Sequence, residues 1–334
     1  MTDSTLRIGL VGLGDIAVRA HLPALAAEPR AALVAVADAD PERLTAFAPP
    51  GARATTDAES IFADPEVDAV VIATPPSATA SLVQTALAAG KYVLAEKPIA
   101  LSVAEAADVR DAPAAAERLQ IGLTYRHHPA VDRLRELIEA GALGRPLLIQ
   151  AAICDERADP DGDPRGYARR LRSLERLPPI VSDGVHACDR LNYLLGEVPV
   201  EVSGWSLRTD PEFATPNVNG GVLTYADGTV ARLEVVWMTP VLPPSQFVVT
   251  GPLGRATLDP PTFGLAVELA DGTTEALEPP GAKTETCFAL QLERFVGHAL
   301  AGTPPVPGLA EALASLELAE RIAHAAGIAR EVPA

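Results

Sequence analysis

The sequence predicts an α/β fold: a doubly wound parallel Rossmann sheet at the N-terminus, followed by an open-faced, mainly antiparallel sheet domain. Two observations support this prediction. Short apolar runs alternate with helical segments up to about residue 123, whereas later apolar runs come in pairs joined by Asp-Gly turns. Alternation is typical of a parallel sheet with helical crossovers, and paired strands with tight turns are typical of antiparallel neighbours.

The first apolar run, Leu6 to Val11, leads into the turn Gly12-Leu13-Gly14-Asp15-Ile16-Ala17. This G-x-G-x-x-A spacing is typical of dinucleotide binding. Gly12 permits the tight turn, Gly14 lets the backbone approach a pyrophosphate, and Ala17 allows close packing of helix on strand. The N-terminus of the following helix supplies N–H groups for the anion.

A second strand, Ala32 to Ala37, ends on Asp38, about 20 residues beyond the glycine turn, where a carboxylate accepts hydrogen bonds from the adenosine ribose. A 2′-phosphate would meet a like charge there, and Ala39-Asp40 adds a second acid and no arginine. The sequence therefore favours NAD over NADP. The alternative, a chance glycine turn with Asp38 as an ordinary loop acid, does not account for the order of strand, turn, helix, strand and acid.

The same alternation continues along the first part of the chain. We expect helices at Pro41 to Phe47, Ala58 to Phe62, Ala78 to Ala89 and Val103 to Arg110, a break near Pro113, and strands at Ala69 to Ala73, Tyr92 to Ala95 and Gln120 to Thr124. One strand ends in Thr74-Pro75 and another in Glu96-Lys97-Pro98. Ligands bind outside the carboxyl ends of strands in such a sheet, so Lys97 is a candidate catalytic residue.

The second part of the chain shows a different pattern. We expect strands at Leu147 to Cys154, Val200 to Arg208, Val222 to Tyr225, Val230 to Val236, Gln246 to Thr250, Leu265 to Leu269 and Thr274 to Leu277. We therefore predict a nucleotide-binding domain over residues 1–123 and a substrate-binding and oligomerisation domain over residues 124–334. An amphipathic helix at about residues 309–325 is expected to pack back against one of these domains.

Composition narrows the classes of partner. A formal net charge of -17 argues against nucleic acid and anionic membrane, because phosphate neutralisation needs a basic patch. No apolar run is long enough for a membrane span, and the N-terminus lacks a basic stretch before an apolar one. The three cysteines are scattered, so we expect reduced thiols in a cytoplasmic protein, and no spacing resembles a metal site.

Two polar clusters stand out in the second part. Arginines 165, 169, 170, 172 and 176 form either a solvated face paired with nearby acids or a lip that holds an anionic substrate, in which Arg169 is a candidate contact. The second cluster runs from Ser182 to Asp189 on a predicted helix that ends at Gly196. His186 in this cluster is flanked by acids and is therefore a candidate general base. The alternative interpretation is a structural histidine that braces the helix.

Together these segments resemble the Gfo/Idh/MocA family of sugar and cyclitol oxidoreductases. The resemblance rests on Gly12-Leu13-Gly14 with Asp38, Ala73-Thr74-Pro75, Gly90-Lys91 before Glu96-Lys97-Pro98, Thr124-Tyr125-Arg126 before Pro129, and His186 with Asp189. They run in family order over almost the whole chain. The resemblance implies a Rossmann domain with an open-faced sheet domain, NAD-dependent hydride transfer at a ring carbinol, and a homodimer or homotetramer.

The resemblance also implies residue roles. It assigns the cofactor to Gly12, Gly14, Asp15, Ile16, Asp38, Ala73, Thr74, Pro75, Glu96, Lys97 and Thr124. Lys97 would bind the reacting hydroxyl and His186 would exchange its proton. Asp189, Arg126 and Tyr125 would face the substrate.

The chain departs from the family pattern at three positions. Where many members have aspartate four residues before the histidine, this chain has Ser182, so Asp183 is the candidate replacement. Thr79 stands where members often have histidine, and Thr124 where many have asparagine. Two further activities occur on the same fold, namely NAD-dependent glycosidases and regulators that bind NAD and a sugar without turnover. The presence of both Lys97 and His186 favours a dehydrogenase.

Overall fold

A computed structural model describes residues 5–112 and 114–328, apart from the side chains of Asp108 and Asp155. The chain divides into two compact units. The first contains the described residues up to His127 together with Thr284–Leu313. The second contains His128–Lys283 and the described residues from Ala314 onward. No sequence pattern signalled that Thr284–Leu313 returns to the first unit.

The first unit contains a six-stranded parallel sheet, as predicted, in the order β3-β2-β1-β4-β5-β6. Its strands are β1 (Leu6–Val11), β2 (Ala31–Ala37), β3 (Arg53–Thr55), β4 (Ala69–Ile72), β5 (Tyr92–Ala95) and β6 (Leu119–Ile121). The chain winds outward in one direction from β1 to β3 and in the other from β4 to β6. The carboxyl ends of β1 and β4 therefore meet at the topological switch point, where doubly wound sheets bind ligands.

Both faces of this sheet are buried, which explains the continuous apolar character of its strands. Alternate residues point to opposite sides: Leu10 and Val71 belong to one core, and Val11 and Ile72 belong to the other. The helices in the first segment of this unit are α1 (Leu22–Ala27), α2 (Pro41–Phe47), α3 (Ala58–Phe62), α4 (Pro76–Ala88), α5 (Ala107–Arg110) and α6 (Ala115–Arg118), with a wide π turn at Ala17–His21 and a 3-10 turn at Thr124–His127.

Several predicted boundaries in this unit were wrong. The helix expected over 103–110 begins only at Ala107, because the preceding turn is held by i→i+3 bonds such as that from the Ala107 N–H to the Ala104 carbonyl. The last strand ends at Ile121, so Thr124 lies in the 3-10 turn. The short strand β3 was missed. Pro113, where a break was expected, lies outside the described residues.

The second unit contains an eight-stranded sheet in the order β14-β13-β12-β11-β7-β10-β9-β8. Its strands are β7 (Leu148–Glu156), β8 (Glu201–Leu207), β9 (Val218–Thr224), β10 (Val230–Trp237), β11 (Gln246–Gly251), β12 (Gly254–Leu258), β13 (Leu265–Leu269) and β14 (Thr274–Leu277). Both predicted Asp-Gly hairpins are present. The sheet is mainly antiparallel, as predicted, but the neighbouring strands β7 and β10 are parallel.

The remaining helices are α7 (Pro129–Glu139), α8 (Pro164–Leu174), α9 (Pro179–Ser182), α10 (Gly184–Leu195), α11 (Lys283–Ala301) and α12 (Leu309–Ala325). Helices α9 and α10 pack on β10, on the face that carries the buried side chains of Ile149, Leu223 and Val249. On the same face, α12 lies so close to β8 that a Cβ on Gly204 would be 2.5 Å from the Ile322 carbonyl oxygen. The sequence analysis missed α7, α11 and β12.

The opposite face of this sheet carries exposed apolar side chains. Every second side chain of β8 is exposed on this face, namely those of residues 201, 203, 205 and 207. Trp205 lies over Gly220 of the neighbouring strand. Trp205, Leu207 and Leu148 are all exposed. We call this surface the open sheet face.

Candidate active site

The glycine turn has the geometry of a phosphate-binding turn. Gly12 has a φ of 91°, and its Cβ would lie 2.5 Å from the carbonyl oxygen of Ala73, so only glycine fits. A Cβ on Gly14, by contrast, would meet no atom within 4 Å. The space beside Gly14 is thus open to a pyrophosphate, while Ala17 is fully buried against the sheet. Asp15 and Ile16 lie exposed at the start of the helix.

Asp38 is oriented by the same turn. One carboxylate oxygen accepts the Leu13 N–H at 2.7 Å, and the other accepts the Asp40 N–H at 2.9 Å. The carboxylate therefore lies at the edge of the glycine turn, where a ribose is expected. The sequence argument considered only the residues directly after Asp38 and missed Arg43. The Arg43 guanidinium donates to the Leu13 carbonyl at 3.0 Å, so a cation also lies at this end of the site.

The Thr74-Pro75 turn follows β4, next to the glycine turn. The Thr74 hydroxyl lies 3.1 Å from the hydroxyl of Thr79, and the Thr79 hydroxyl lies within hydrogen-bonding distance of the carbonyls of Thr74 and Pro75, which precede α4. Thr79 is fully buried. The residue that stands in place of a family histidine is thus a structural brace for this turn.

Glu96 and Lys97 follow β5 at the same edge of the sheet. Glu96 is buried, Lys97 is half-buried, and the Lys97–Pro98 peptide is cis. One Glu96 carboxylate oxygen accepts the Lys97 backbone N–H at 3.2 Å, and the other lies 2.8 Å from Nε2 of His21. A Cβ on Gly122 would lie only 3.1 Å from the Glu96 carboxylate, so the space around that group is filled.

His21 was not among the residues singled out from the sequence. Its imidazole is buried at the end of the π turn and meets the Phe288 ring edge to face, with ring centroids 4.9 Å apart. The usable signal was a single histidine in an otherwise Ala- and Leu-rich helix directly after the glycine turn.

The turn after β6 contains four polar residues in sequence. Thr124 and Arg126 are buried, Tyr125 is half-buried, and the Thr124 hydroxyl donates to the Gly122 carbonyl at 3.1 Å. Burial and the neighbouring guanidinium groups of Arg294 and Arg126 lower the pKa of His127 to about 3. The ring is therefore neutral near pH 7, and its Nδ1 accepts from Arg294 at 3.2 Å.

In the second unit the His186 segment is not one continuous helix. Helix α9 ends at Ser182 and α10 begins at Gly184, so Ser182 and His186 lie on different helices. Asp183 lies between the two helices. Its N–H donates to the Pro179 carbonyl, and its carbonyl accepts the His186 N–H. The break follows from packing, because a Cβ on Gly184 would lie 2.8 Å from the Ile180 side chain.

The polar side chains of α10 are buried together with its apolar ones. His186, Asp189 and Arg190 are each buried, so this helix is enclosed by the protein on its polar side as well. Asp189 accepts a hydrogen bond of 3.4 Å from Ser315 of α12. Burial, and then the charge of Asp189, raise the pKa of the Cys188 thiol, so this cysteine stays protonated.

The arginine cluster lies on and just after α8. Arg170 forms ion pairs with Glu156 at 3.0 Å and with Asp163 at 3.2 Å. These pairs are what a solvated face paired with nearby acids predicts. The other arginines, 165, 169, 172 and 176, are exposed and spaced by four, three and four residues. That spacing puts them on one side of a helix.

A pocket of about 440 Å³ lies at the opposite edge of the first sheet, near the N-terminal ends of β1, β4 and β5. Its charged groups are engaged in the fold. Lys91 donates to the Asp64 and Val67 carbonyls, Asp68 pairs with Arg7, and Arg118 bonds the Gly90 carbonyl. This pocket is separate from the edge that carries Asp38 and Lys97.

Comparison with known proteins matches both parts of the chain. Residues 6–123 match a model described as an oxidoreductase family with an NAD-binding Rossmann fold, and residues 131–257 match the GFO/IDH/MocA C-terminal domain. A dTDP-3,4-didehydro-2,6-dideoxy-alpha-D-glucose 3-reductase from Streptomyces violaceoruber is 32% identical over 83% of this chain and 82% of its own. The chain belongs to the Gfo/Idh/MocA family. It is thus an oxidoreductase with an NAD-binding domain.

Two other relatives span most of the chain. Inositol 2-dehydrogenase 2 from Paenarthrobacter aurescens is 29% identical over 90% of this chain and 89% of its own length. An oxidoreductase from Agrobacterium radiobacter, solved in complex with NAD+, L-tartaric acid and magnesium, has a TM-score of 0.82 at 24% identity, with 97% of each chain covered. The latter likeness supports the fold.

Within residues 5–112 and 114–328, no helix is both long and apolar enough to cross a membrane. The same ranges contain no group of three or more His, Cys, Asp or Glu side chains arranged to hold a metal ion.

Asp38 and Arg43 together predict how cofactor choice responds to charge. In Asp38→Asn the acceptor for the Leu13 N–H is kept but the repulsion of a 2′-phosphate is lost, while the Arg43 cation remains. We expect the ratio of NADPH to NADH affinity to rise about tenfold or more, measured by fluorescence titration of both cofactors.

Asp57→Asn is the matched control, since it removes an equal charge from an exposed acid of the same unit that caps α3. If both variants change the ratio equally, Asp38 does not select the cofactor.

Proposed function

We propose that this protein is an NAD-dependent dehydrogenase or reductase that transfers a hydride between nicotinamide and a ring hydroxyl or ketone. The substrate is a sugar, sugar acid, sugar nucleotide or cyclitol. The observation that best supports this is the position of Lys97, directly after β5 at the sheet edge that also carries the glycine turn and Asp38. The curated relatives, an inositol dehydrogenase and a dTDP-sugar reductase, support the substrate class.

Bound NAD supplies the hydride acceptor. The chain has to hold the reacting oxygen and remove its proton as the hydride leaves carbon. Lys97 is proposed to bind that oxygen and to stabilise its alkoxide-like form through its positive charge. His186 is proposed to take or return the proton, and Asp189, Arg126 and Tyr125 to bind the other substrate groups.

Asp183 keeps its proposed role as an orienting acid for His186. Its support is local: its carbonyl accepts the His186 N–H at 3.0 Å, so the two residues share one helical turn. Its side chain is half-buried and makes no cap bond to α10.

A glycosidase and a cofactor-binding regulator are the competing activities. A dehydrogenase produces NADH from NAD+ with a sugar or cyclitol alone, whereas a glycosidase releases an aglycone without net NADH. A regulator binds NAD and turns over no substrate in the panel. The assay is NADH absorbance with a panel of cyclitols, neutral sugars, sugar acids and nucleotide sugars.

The buried, widely separated cysteines fit a reducing compartment. We therefore propose a cytoplasmic location, with small carbohydrates and no nucleic acid or membrane as partners.

Lys97→Ala is expected to lower kcat by about a thousandfold or more while NADH affinity changes less than about threefold, because the lysine acts on the reacting oxygen. Stopped-flow turnover and NADH fluorescence measure the two quantities. Lys283→Ala, a lysine of the second unit, serves as the control and keeps its turnover. Undiminished turnover in Lys97→Ala would refute the assignment.

Arg169 is expected to matter only for an acidic substrate. If sugar acids are turned over, Arg169→Ala should raise their KM about tenfold, because an arginine–carboxylate contact is lost, and leave neutral sugars unchanged. Steady-state kinetics on a matched acid and neutral sugar give the answer. Arg255→Ala, an exposed arginine paired with Glu268, is the control. Equal effects on both substrates would favour the solvated-face alternative.

The open sheet face is proposed as the surface of a homodimer or homotetramer, because exposed Trp and Leu side chains on a flat sheet indicate an interaction site. Trp205→Glu should shift the protein toward monomer in sedimentation velocity. Phe47 has the same exposed fraction, 41%, on the first unit, so Phe47→Glu is a matched control. A wild-type monomer, or an oligomer insensitive to Trp205→Glu, would contradict the proposal.

A further inference from the structure

The buried pair of His21 and Glu96 connects the cofactor turn to the strand end that carries Lys97. The two side chains come from different elements, the π turn after the glycine loop and the residue after β5. Their contact of 2.8 Å is shielded from water, since the side chains are only 2% and 10% exposed. A buried carboxylate needs such a partner, because desolvation disfavours its charge.

The orientation of His21 is fixed from two sides. The Leu22 N–H bonds the Ala17 carbonyl, so the helix makes a wide turn at this point. A π turn shifts the following side chains around the helix relative to a regular α-helix, and such turns occur frequently at functional sites. The edge-to-face contact with Phe288 of α11 then holds the plane of the ring.

The two carboxylate oxygens of Glu96 have different partners. Oε1 meets the His21 imidazole and Oε2 accepts the Lys97 backbone N–H. With Gly122 pressed against the carboxylate, rotation of the group is restricted. Removal of His21 would leave Oε1 buried without this partner, so the carboxylate would reorient and release the Lys97 N–H.

We propose that His21 is a positioning residue, which acts through Glu96 to hold the backbone at Lys97. This inference rests on the proposed function for its effect on turnover, because Lys97 acts on the substrate only in that proposal. Its structural part, the dependence of the Lys97 backbone on His21, stands independently.

The direct test is amide hydrogen exchange in the full-length apo protein. Pro98 has no N–H, so fragments ending at Glu96 and at Pro98 differ by the Lys97 amide alone. In His21→Ala this amide should exchange about tenfold faster. His21→Gln, whose side-chain amide can donate to Oε1, should restore most of the protection.

Two controls separate positioning from general destabilisation. Leu292→Ala removes a core side chain one turn along α11 from Phe288 while it keeps both His21 and Glu96, and it is expected to lower the melting temperature because it leaves a cavity in the same core. Equal acceleration at Lys97 in this variant would overturn the proposal. In a Glu96→Ala background, adding His21→Ala should change nothing further at Lys97; an additional acceleration would also overturn it.

Turnover provides the second readout, with whichever panel compound produces NADH. His21→Ala should lower kcat about tenfold to a hundredfold and leave KM and NADH affinity within about threefold, with kcat recovered in His21→Gln. A change in KM alone would overturn the catalytic part. If no panel compound is oxidised, the proposed function fails, and the exchange experiment still decides the role of His21.

Discussion

The approach of Gly12 to the carbonyl of Ala73 is the constraint on which the first unit's site depends. A Cβ there would lie 2.5 Å from the carbonyl oxygen, and the φ of 91° also excludes other residues at low cost. Because β1 and β4 are neighbours at the switch point, this contact lets their carboxyl ends lie side by side. Asp38 bonds the next residue, Leu13, so its position follows from the same turn. A larger residue at Gly12 would therefore displace Leu13 and Asp38 together.

Charge is arranged differently at the two ends of this edge. At the end where a ribose is expected, Asp38 is half-buried and accepts two backbone N–H groups, and Arg43 of α2 donates to the same turn. A charge held by backbone donors keeps free lone pairs, as a ribose ligand requires. At the other end each oxygen of Glu96 also has one partner within the protein, but this side chain is buried, so a ligand has less access to its remaining lone pairs. This pattern favours a ligand-binding role for Asp38 and a supporting one for Glu96.

The sequence sufficed for the parts of the fold that local chemistry determines. The glycine turn, the runs from Leu6 to Val11 and Tyr92 to Ala95, and both Asp-Gly hairpins were correct because backbone sterics and apolar periodicity act over a few residues. The parallel pairing of β7 with β10 was not predictable, since its partners are far apart in sequence. Gly184, which follows the break at Asp183, likewise packs against Val235 of β10, where an added Cβ would lie 3.2 Å from that side chain, and no local pattern encodes a contact so distant in sequence.

The residues of the candidate site show the same difference between features that local sequence determines and features that depend on distant partners. Residues proposed to approach a ligand with backbone or a single carboxylate, such as Gly14 and Asp38, have a fixed spacing and could be proposed from it. His21 could not, because its importance arises from a partner 75 residues away. Its helix reads as an ordinary packing helix, and the π turn that orients the ring has no sequence signature in Ala17–His21. A buried polar side chain in a mainly apolar helix beside the glycine turn has to find its partner in the tertiary structure, because burial of an unpaired polar group is costly. Such a residue is therefore a reason to look for a buried acid at the adjoining strand end, and here that acid precedes the catalytic candidate.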